Sequence, residues 1–207
     1  MKAAAHHAPA RRAPSRPRYR AVAIGVSTGG VEALKRVLPA LPAGFPLPVL
    51  VVIHIAVASG DGLARLLDGV SHLRVKEADE GELLAGGAAY LAPPGYHLLV
   101  ELDGRTALTL DPPVSFARPS ADVLFESASA CYGAALIGVV LTGAGSDGAN
   151  GLAHIGEAGG YTIVQDPDSA VMDSMPRAAL ARRTPDRVVA LDEIGALLRQ
   201  LATEVLP

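Results

Sequence analysis

The sequence predicts an α/β protein: a single doubly wound domain with a mostly parallel sheet, helices on both faces and a small antiparallel hairpin. Three observations lead to this fold class. Short runs of Val, Leu and Ile alternate with segments whose apolar residues recur at helical spacing. Many of these runs end in tight turns, and the chain has 22 glycines. Hydrophobic residues make up 50% of the chain but aromatic residues only 4%, so we expect an aliphatic core.

The first unit shows the pattern most clearly. An apolar run over 21–26 ends in a glycine-rich turn at 27–30, and residues 31–38 carry apolar side chains at helical spacing. Four prolines then mark a loop over 39–48. The continuous β-branched run over 49–55 is typical of a central parallel strand that is covered on both faces.

The rest of the chain repeats this alternation with one interruption. Residues 96–102 and 106–110 predict an antiparallel hairpin. Ser120 is expected to be the N-cap of a helix over 121–132. The other predicted strands are 73–77, 88–92, 134–141, 161–165 and 188–191, and the other predicted helices are 61–70, 150–158, 174–180 and 192–202.

Composition argues against several classes of protein. The formal net charge of −3 gives no general case for nucleic-acid binding. No run reaches the ~18 apolar residues that a membrane span needs, and no signal-peptide pattern is present, so we expect a soluble, cytoplasmic protein. Cys131 is the only cysteine, which excludes a disulfide framework and a thiolate metal cluster, and its helical context predicts a buried structural thiol.

Residues 1–20 differ from the remainder of the chain. They contain basic residues, prolines and alanines but no acidic residue. Such a segment buries too little apolar surface to fold, so we predict a disordered basic tail over 1–20 and one domain over 21–207. The positive charge of the tail suits an acidic partner.

Ser27 lies where the first predicted strand ends and the first helix begins. Its hydroxyl there could act as a nucleophile, because free backbone N–H groups at a helix start favour developing negative charge. A phosphate-binding or nucleotide-binding glycine turn, with Ser27 as helix N-cap, explains the same stretch equally well. This stretch alone leaves both interpretations open.

His54 and Asp147 occupy positions of the same kind. His54 lies near the carboxyl end of the strand 49–55, and Asp147 follows the strand 134–141. A core histidine and an N-cap aspartate are the structural alternatives. Carboxyl ends of parallel strands gather at one edge of a sheet, so these residues can meet Ser27. Hydroxyl, imidazole and carboxylate are the groups of an acyl-transfer triad.

Five stretches of the chain carry a resemblance to a known family. They are GVSTGG at 25–30, APPGYHL at 92–98, RPSADVLF at 118–125, LTGAGSDG at 141–148 and MPRAA at 175–179. Together, and in this order between residues 21 and 201, they are similar to the catalytic domain of chemotaxis protein-glutamate methylesterases, the CheB family. The resemblance implies that Ser27 is the nucleophile, His54 the base and Asp147 the acid that orients the imidazole.

The resemblance also implies the substrate, a glutamate methyl ester on the cytoplasmic helices of a chemoreceptor. Related members also deamidate receptor glutamines. We expect backbone N–H groups at Thr28, at Gly29 and in the turn that contains Ala144 to hold the oxyanion or bind substrate. The reaction needs neither a metal ion nor an organic cofactor.

The chain departs from the family pattern in several places. Members usually carry an N-terminal receiver domain, where this chain has its 20-residue tail, so we expect either an open catalytic face or control by a separate regulatory protein. Ile53 and Ile55 replace the usual Gln and Met beside the histidine, Ala144 replaces a Met, and Ala117 replaces a frequent His. These changes favour one alternative, a domain that binds receptor or signalling partners without turnover. A nucleotide-binding domain is the other alternative, and it leaves His54 unexplained.

Overall fold

The computed structural model describes residues 17–54 and 62–206, in which nine strands are assigned. The strands are β1 (Ala21–Val26), β2 (Val49–Ile53), β3 (Arg74–Glu77), β4 (Ala88–Leu91), β5 (His97–Val100), β6 (Thr106–Thr109), β7 (Leu136–Val140), β8 (Tyr161–Gln165) and β9 (Arg187–Val189). The α-helices are α1 (Gly30–Val37), α2 (Gly62–Asp68), α3 (Ala121–Tyr132), α4 (Ala149–Glu157), α5 (Ser174–Arg182) and α6 (Leu191–Ala202).

Seven of these strands form one parallel sheet in the order β3-β4-β2-β1-β7-β8-β9, and β5 pairs with β6 as an antiparallel hairpin. The order reverses at β1, which pairs with β2 on one side and with β7 on the other. On one side of β1 the chain builds outwards through β7, β8 and β9. On the other side it passes from β2 to the edge strand β3 and then returns to β4, which lies between them. In open sheets of this type such a reversal creates a crevice at the carboxyl ends of the strands.

Two aliphatic cores cover the two faces of the sheet. Val22, Ile24 and Val26 of β1 belong to the core that contains buried residues of α1, α2 and α6. Ala21 and Ala23 belong to the core formed with α3, α4, α5 and the hairpin. Every residue of β1 and β2 is buried, which explains why both strands appear in the sequence as continuous apolar runs. The predicted fold class is confirmed.

The close packing of α3 on the sheet depends on glycines. A Cβ at Gly25 would lie 2.7 Å from the Cβ of Ala121, and a Cβ at Gly151 would lie 2.6 Å from the Cβ of Phe125. Side chains at either position would push α3 away from β1 or from α4. The first turn of α3 consequently lies close to the carboxyl ends of the central strands.

Residues 17–20, which the sequence assigns to the tail, pack against the domain. Tyr19 is only 2% exposed, and its ring meets the ring of Tyr161 edge-on at 5.9 Å between centroids. The backbone N–H of Arg18 donates to the carbonyl of Glu204 at 2.9 Å. Burial of one aromatic ring thus extends the folded domain below residue 21. The predicted disorder of residues 1–16 and the predicted helix start at residue 61 lie outside the described residues.

Other differences from the sequence predictions are small. Cys131 is only partly buried, because it lies on the side of α3 next to the β5–β6 turn, where its thiol contacts the carbonyl of Leu102 at 3.8 Å. The last helix begins at Leu191, one residue before the predicted start, with Ala190 as its N-cap. Within the described ranges, none of the helices is both long and apolar enough to cross a bilayer.

We predict that Gly25→Ala destabilises the protein, whereas Gly44→Ala does not. The new methyl group at residue 25 would collide with Ala121, and overpacking of this kind costs about 1–3 kcal/mol. A methyl group at residue 44 would have nothing within 4 Å of it, so this variant should stay within about 0.5 kcal/mol of the parent. Urea unfolding measures both, and equal stabilities would contradict the role of Gly25.

Candidate active site

Three neighbouring strands bring the predicted site residues to the reversal point of the sheet. Ser27 follows β1 and His54 follows β2, immediately beyond the paired residues Val26 and Ile53. The N–H of His54 donates to the carbonyl of Val26 at 3.1 Å, and the N–H of Ser27 donates to the carbonyl of Thr142, after β7, at 3.0 Å. Ser27 therefore lies between the ends of the two strands that lead to His54 and to the turn 142–148.

Asp147 is the most constrained of the three predicted residues. It is 3% exposed, and its carboxylate accepts four hydrogen bonds. The donors are His54 Nε2 at 2.7 Å, Ser120 Oγ at 2.7 Å, and the backbone N–H groups of Ala121 at 2.6 Å and Asp122 at 3.1 Å. The carboxylate thus lies at the amino end of α3, where the free N–H groups and the helix dipole stabilise negative charge.

These hydrogen bonds decide the ionisation of Asp147. Burial is the largest single effect and raises the pKa of Asp147, but the hydrogen bonds from His54, Ser120, Ala121 and Asp122 together bring the pKa below its ordinary value. The carboxylate is therefore ionised at neutral pH and can only accept hydrogen bonds. The N-cap alternative for Asp147 is wrong, because α4 has Gly148 at its N-cap position and Asp147 binds the start of α3 instead.

The contact with Asp147 fixes the tautomer of His54. Because the carboxylate accepts, Nε2 carries the proton and Nδ1 is the ring nitrogen left with a lone pair in the neutral imidazole. The side chain of His54 is 21% exposed, so the ring is held in place but is open to the cleft beside it. The arrangement can take up a proton at Nδ1 while Asp147 stabilises the resulting imidazolium.

Ser27 lies at the end of the neighbouring strand β1, and within the described residues it is not hydrogen-bonded to this pair. Among the described residues its hydroxyl makes no hydrogen bond, and the side chain is partly exposed. Gly143 lies directly against it, since a Cβ at residue 143 would be 2.7 Å from the Cβ of Ser27 and 2.1 Å from the sulfur of Met175. Hydrogen bonds between catalytic groups are often long in unliganded enzymes and tighten with substrate.

Backbone N–H groups without partners lie around Ser27. In the described part of the chain, the N–H groups of Thr28, Gly29 and Ala144 donate no hydrogen bond, whereas that of Gly143 donates to the carbonyl of Met172 at 2.9 Å. Gly29 has φ +80°, a left-handed conformation that suits glycine. The three free N–H groups have the chemistry of an oxyanion site.

A cleft of about 360 Å³ opens beside His54 and Asp147. Its other walls are the segments 115–119 and 144–146. Ala144 is exposed there, but Ile53 is 2% exposed and points into the core beneath α1. Ile53, one of the two substitutions beside the histidine, therefore does not form part of the cleft surface. Ile55, the other substitution, lies outside the described residues.

Sequence reasoning missed Ser120 as a site residue. It occupies the N-cap position of α3, as predicted, but its hydroxyl donates to Asp147 and makes no cap hydrogen bond. Its N–H donates to Nδ1 of His97, a 1% exposed histidine whose Nε2 contacts the carbonyl of Pro112 at 3.2 Å. The serine of the RPS motif was the available signal, and the N-cap preference of serine concealed it.

Two further groups hold the strand ends. The side-chain oxygen of Gln165 accepts from the N–H of Thr142 at 2.8 Å. The hydroxyl of Thr142 donates to the carbonyl of Thr28 at 2.9 Å.

Within residues 17–54 and 62–206, no cluster of three or more His, Cys, Asp or Glu side chains is arranged to hold a metal ion.

Comparison with known proteins identifies similar chains. Residues 22–198 match the family model for CheB methylesterase. A Leptospira interrogans protein, provisionally named protein-glutamate methylesterase/protein-glutamine glutaminase, is 46% identical over 183 residues, which are 88% of this chain and 95% of that protein. Protein-glutamate methylesterase FrzG of Myxococcus xanthus is 44% identical over 191 residues, but this chain covers only 57% of it.

The fold is similar to a solved structure of the same kind. The crystal structure of the Thermotoga maritima CheB methylesterase catalytic domain matches with a TM-score of 0.85 and 34% sequence identity. The match covers 88% of this chain and 98% of that chain.

We predict that Ser120→Ala lowers the free energy of unfolding at neutral pH by about 1.5–3 kcal/mol, because a buried carboxylate loses a donor. The pKa of Asp147 should rise towards its ordinary value near 3.9. The pKa of Asp147 is lower in the folded than in the unfolded protein, so its ionisation stabilises the fold at pH values above the unfolded-state pKa. This stabilisation is lost as the pH falls through the folded-state pKa. The difference in the free energy of unfolding between parent and variant should therefore be smaller in acid. Urea unfolding at neutral pH and at pH ~3 measures it.

Ser129→Ala is the matched control. Ser129 is 3% exposed, and within the described residues its hydroxyl has no hydrogen-bond partner. Its removal should leave stability unchanged or slightly higher at every pH. Equal losses of stability in the two variants would show that the hydrogen bond from Ser120 to Asp147 does not account for the effect of Ser120→Ala.

Proposed function

The chain belongs to the CheB methylesterase family, and on this premise we propose that it hydrolyses glutamate methyl esters on the cytoplasmic helices of chemoreceptors. Similar proteins are named both protein-glutamate methylesterase and protein-glutamine glutaminase, so deamidation of receptor glutamines is included in the proposal. Such a substrate places the protein in the cytoplasm. We also propose a second partner, a separate regulatory protein that docks through the basic segment before residue 17.

The hydrogen bond of 2.7 Å between His54 Nε2 and Asp147 carries the proposal. It lies at the reversal point of the sheet, and Ser27 follows the adjacent strand β1. An oriented imidazole beside a serine at a strand end supports nucleophilic hydrolysis. It gives no support to nucleotide binding, which would leave the buried pair without a role.

The proposed reaction proceeds through an acyl-enzyme. Ser27 Oγ attacks the ester carbonyl carbon while Nδ1 of His54 takes its proton. The N–H groups of Thr28, Gly29 and Ala144 stabilise the oxyanion. The imidazolium returns the proton to the methoxy oxygen, the carbon–oxygen bond breaks and methanol leaves. Water, deprotonated at the same nitrogen, then releases the glutamate and regenerates the serine. With a glutamine substrate the leaving group is ammonia.

A binding domain without turnover is the second candidate function. It is favoured by the missing hydrogen bond between Ser27 and His54 among the described residues, and by the small side chain of Ala144 at the cleft. The intact pair of His54 and Asp147 argues against it, because a pure binding surface needs no oriented imidazole. Labelling by a fluorophosphonate separates the two candidates, since only an activated serine reacts.

We predict that Ser27→Ala abolishes both fluorophosphonate labelling and methanol release from a methylated receptor fragment. Removal of a triad member lowers kcat by about 10⁴–10⁶-fold. Ser146→Ala is the control, because Ser146 is an exposed serine that lines the same cleft, and it should keep the label. A folded Ser27→Ala protein that retains most of its activity would refute the triad.

We predict that Asp147→Asn leaves a folded protein and lowers kcat by about 10⁴-fold, because the amide no longer selects the tautomer with the proton on Nε2. Circular dichroism checks the fold, and initial rates of methanol release measure the loss. Near-normal rates in the folded variant would mean that another group orients the imidazole.

A further inference from the structure

A two-residue turn at the rim of the cleft carries an unusual side chain. Val114 and Ala117 exchange backbone hydrogen bonds at 3.1 and 2.9 Å. Ser115 and Phe116 are the central residues, with φ of 51° and 64°. Positive φ at both positions is the type I′ geometry, which favours Asn and Gly. A bulky aromatic residue in the left-handed region is an outlier and carries strain.

The side chain of Phe116 makes no contacts within the described chain that would offset this strain. Its relative exposure is 105%, the highest among the large exposed hydrophobic residues of the described ranges. The strained turn therefore carries an aromatic ring that is fully exposed to solvent. Strained residues that persist in this way cluster at ligand clamps and active sites.

Hydrogen bonds anchor the segment that carries the turn. Nη1 of Arg118 donates to the carbonyls of Leu110 at 2.7 Å and Asp111 at 3.0 Å, which joins the two ends of the segment. Two residues further on, Ser120 is fully buried and bound to Asp147. The turn that carries Phe116 is thus tied to the protein on both sides.

The turn also borders the reaction centre. Residues 115–119 line the same cleft of about 360 Å³ as His54 and Asp147. On the Ser27 side, Val171 is 73% exposed and covers Gly29, since a Cβ at residue 29 would lie 2.7 Å from the Cβ of Val171. One exposed apolar side chain therefore lies at the cleft that His54 lines, and another lies against the turn that follows Ser27.

We propose that Phe116 is a docking contact for the substrate protein. Its ring contacts an apolar side chain on the helix that carries the ester, three or four residues from the modified glutamate. The inference rests on the proposed function, because the occupant must place its ester in the cleft that the turn lines. Side chains three or four residues apart are neighbours on one helix face. A preoriented aromatic ring supplies contact area at a low cost in conformational entropy.

The test compares a large and a small substrate. Phe116→Ala should raise KM for a chemoreceptor cytoplasmic fragment bearing glutamate methyl esters by about tenfold, with a change in kcat below about twofold, as expected for loss of one interface anchor. The labelling rate with a small fluorophosphonate should stay at the parent value. Leu102→Ala removes another exposed apolar side chain, 79% exposed in the β5–β6 turn, and should leave KM unchanged.

A second variant separates docking from folding. Asn tolerates the left-handed region, so Phe116→Asn should raise the thermal unfolding midpoint while it raises KM as the alanine variant does. Opposite effects on stability and on receptor turnover are not expected of a merely structural residue. A variant that is more stable and keeps the parent KM would overturn the proposal.

The remaining outcomes are distinguishable. Normal labelling of Phe116→Ala with an unchanged KM for the receptor fragment would overturn the docking role and leave the esterase function intact. Self-association of the parent that Phe116→Ala abolishes at unchanged KM would assign the turn to contacts between copies of this chain, and would also overturn the docking role. A parent protein that is neither labelled nor releases methanol would overturn both the docking role and the proposed function.

Discussion

The carboxylate of Asp147 is an ionised group in the interior of the protein, and the central part of the structure is arranged around it. Its donors come from the residue after β2, from the residue before α3 and from the first turn of α3. Leaving a buried charged group without a hydrogen-bond donor costs about 1–3 kcal/mol or more, so these elements cannot shift independently. The same hydrogen bonds lower the pKa of Asp147 and fix the tautomer of His54.

The first turns of α3 and α4 lie close to this charge. Backbone N–H groups at the start of each helix donate to a carboxylate that lies in, or just before, the other helix. Asp147, just before α4, accepts from the first N–H groups of α3, and Asp122 in α3 accepts from the N–H of Gly151 in α4 at 2.7 Å. Such contacts satisfy N–H groups that have no partner within a helix. Burial raises the pKa of Asp122, and the charge of Asp147 adds to this effect. Glycines at 25 and 151 make the close approach possible.

The segment between β6 and α3 serves both the interior and the rim of the site. Its last residue, Ser120, binds Asp147, whereas Phe116 stands in solvent at the tip of a strained turn. Arg118, between them, ties the segment to its own carbonyls. The position of the carboxylate and that of the aromatic ring therefore depend on the same segment. The proposed chemistry and the proposed substrate contact are linked through it.

Ser27, His54 and Asp147 could be predicted as neighbours from the sequence, because continuous β-branched runs mark parallel strands and the ends of such strands share one edge. The fold class followed from the same pattern. The role of Ser120 was missed because serine is also a common N-cap, and the burial of Tyr19 and the inward direction of Ile53 could not be predicted. Each depends on which surfaces meet across long stretches of chain. Local periodicity determines where an element lies, but a buried charge acquires its donors only when tertiary packing excludes water from around it.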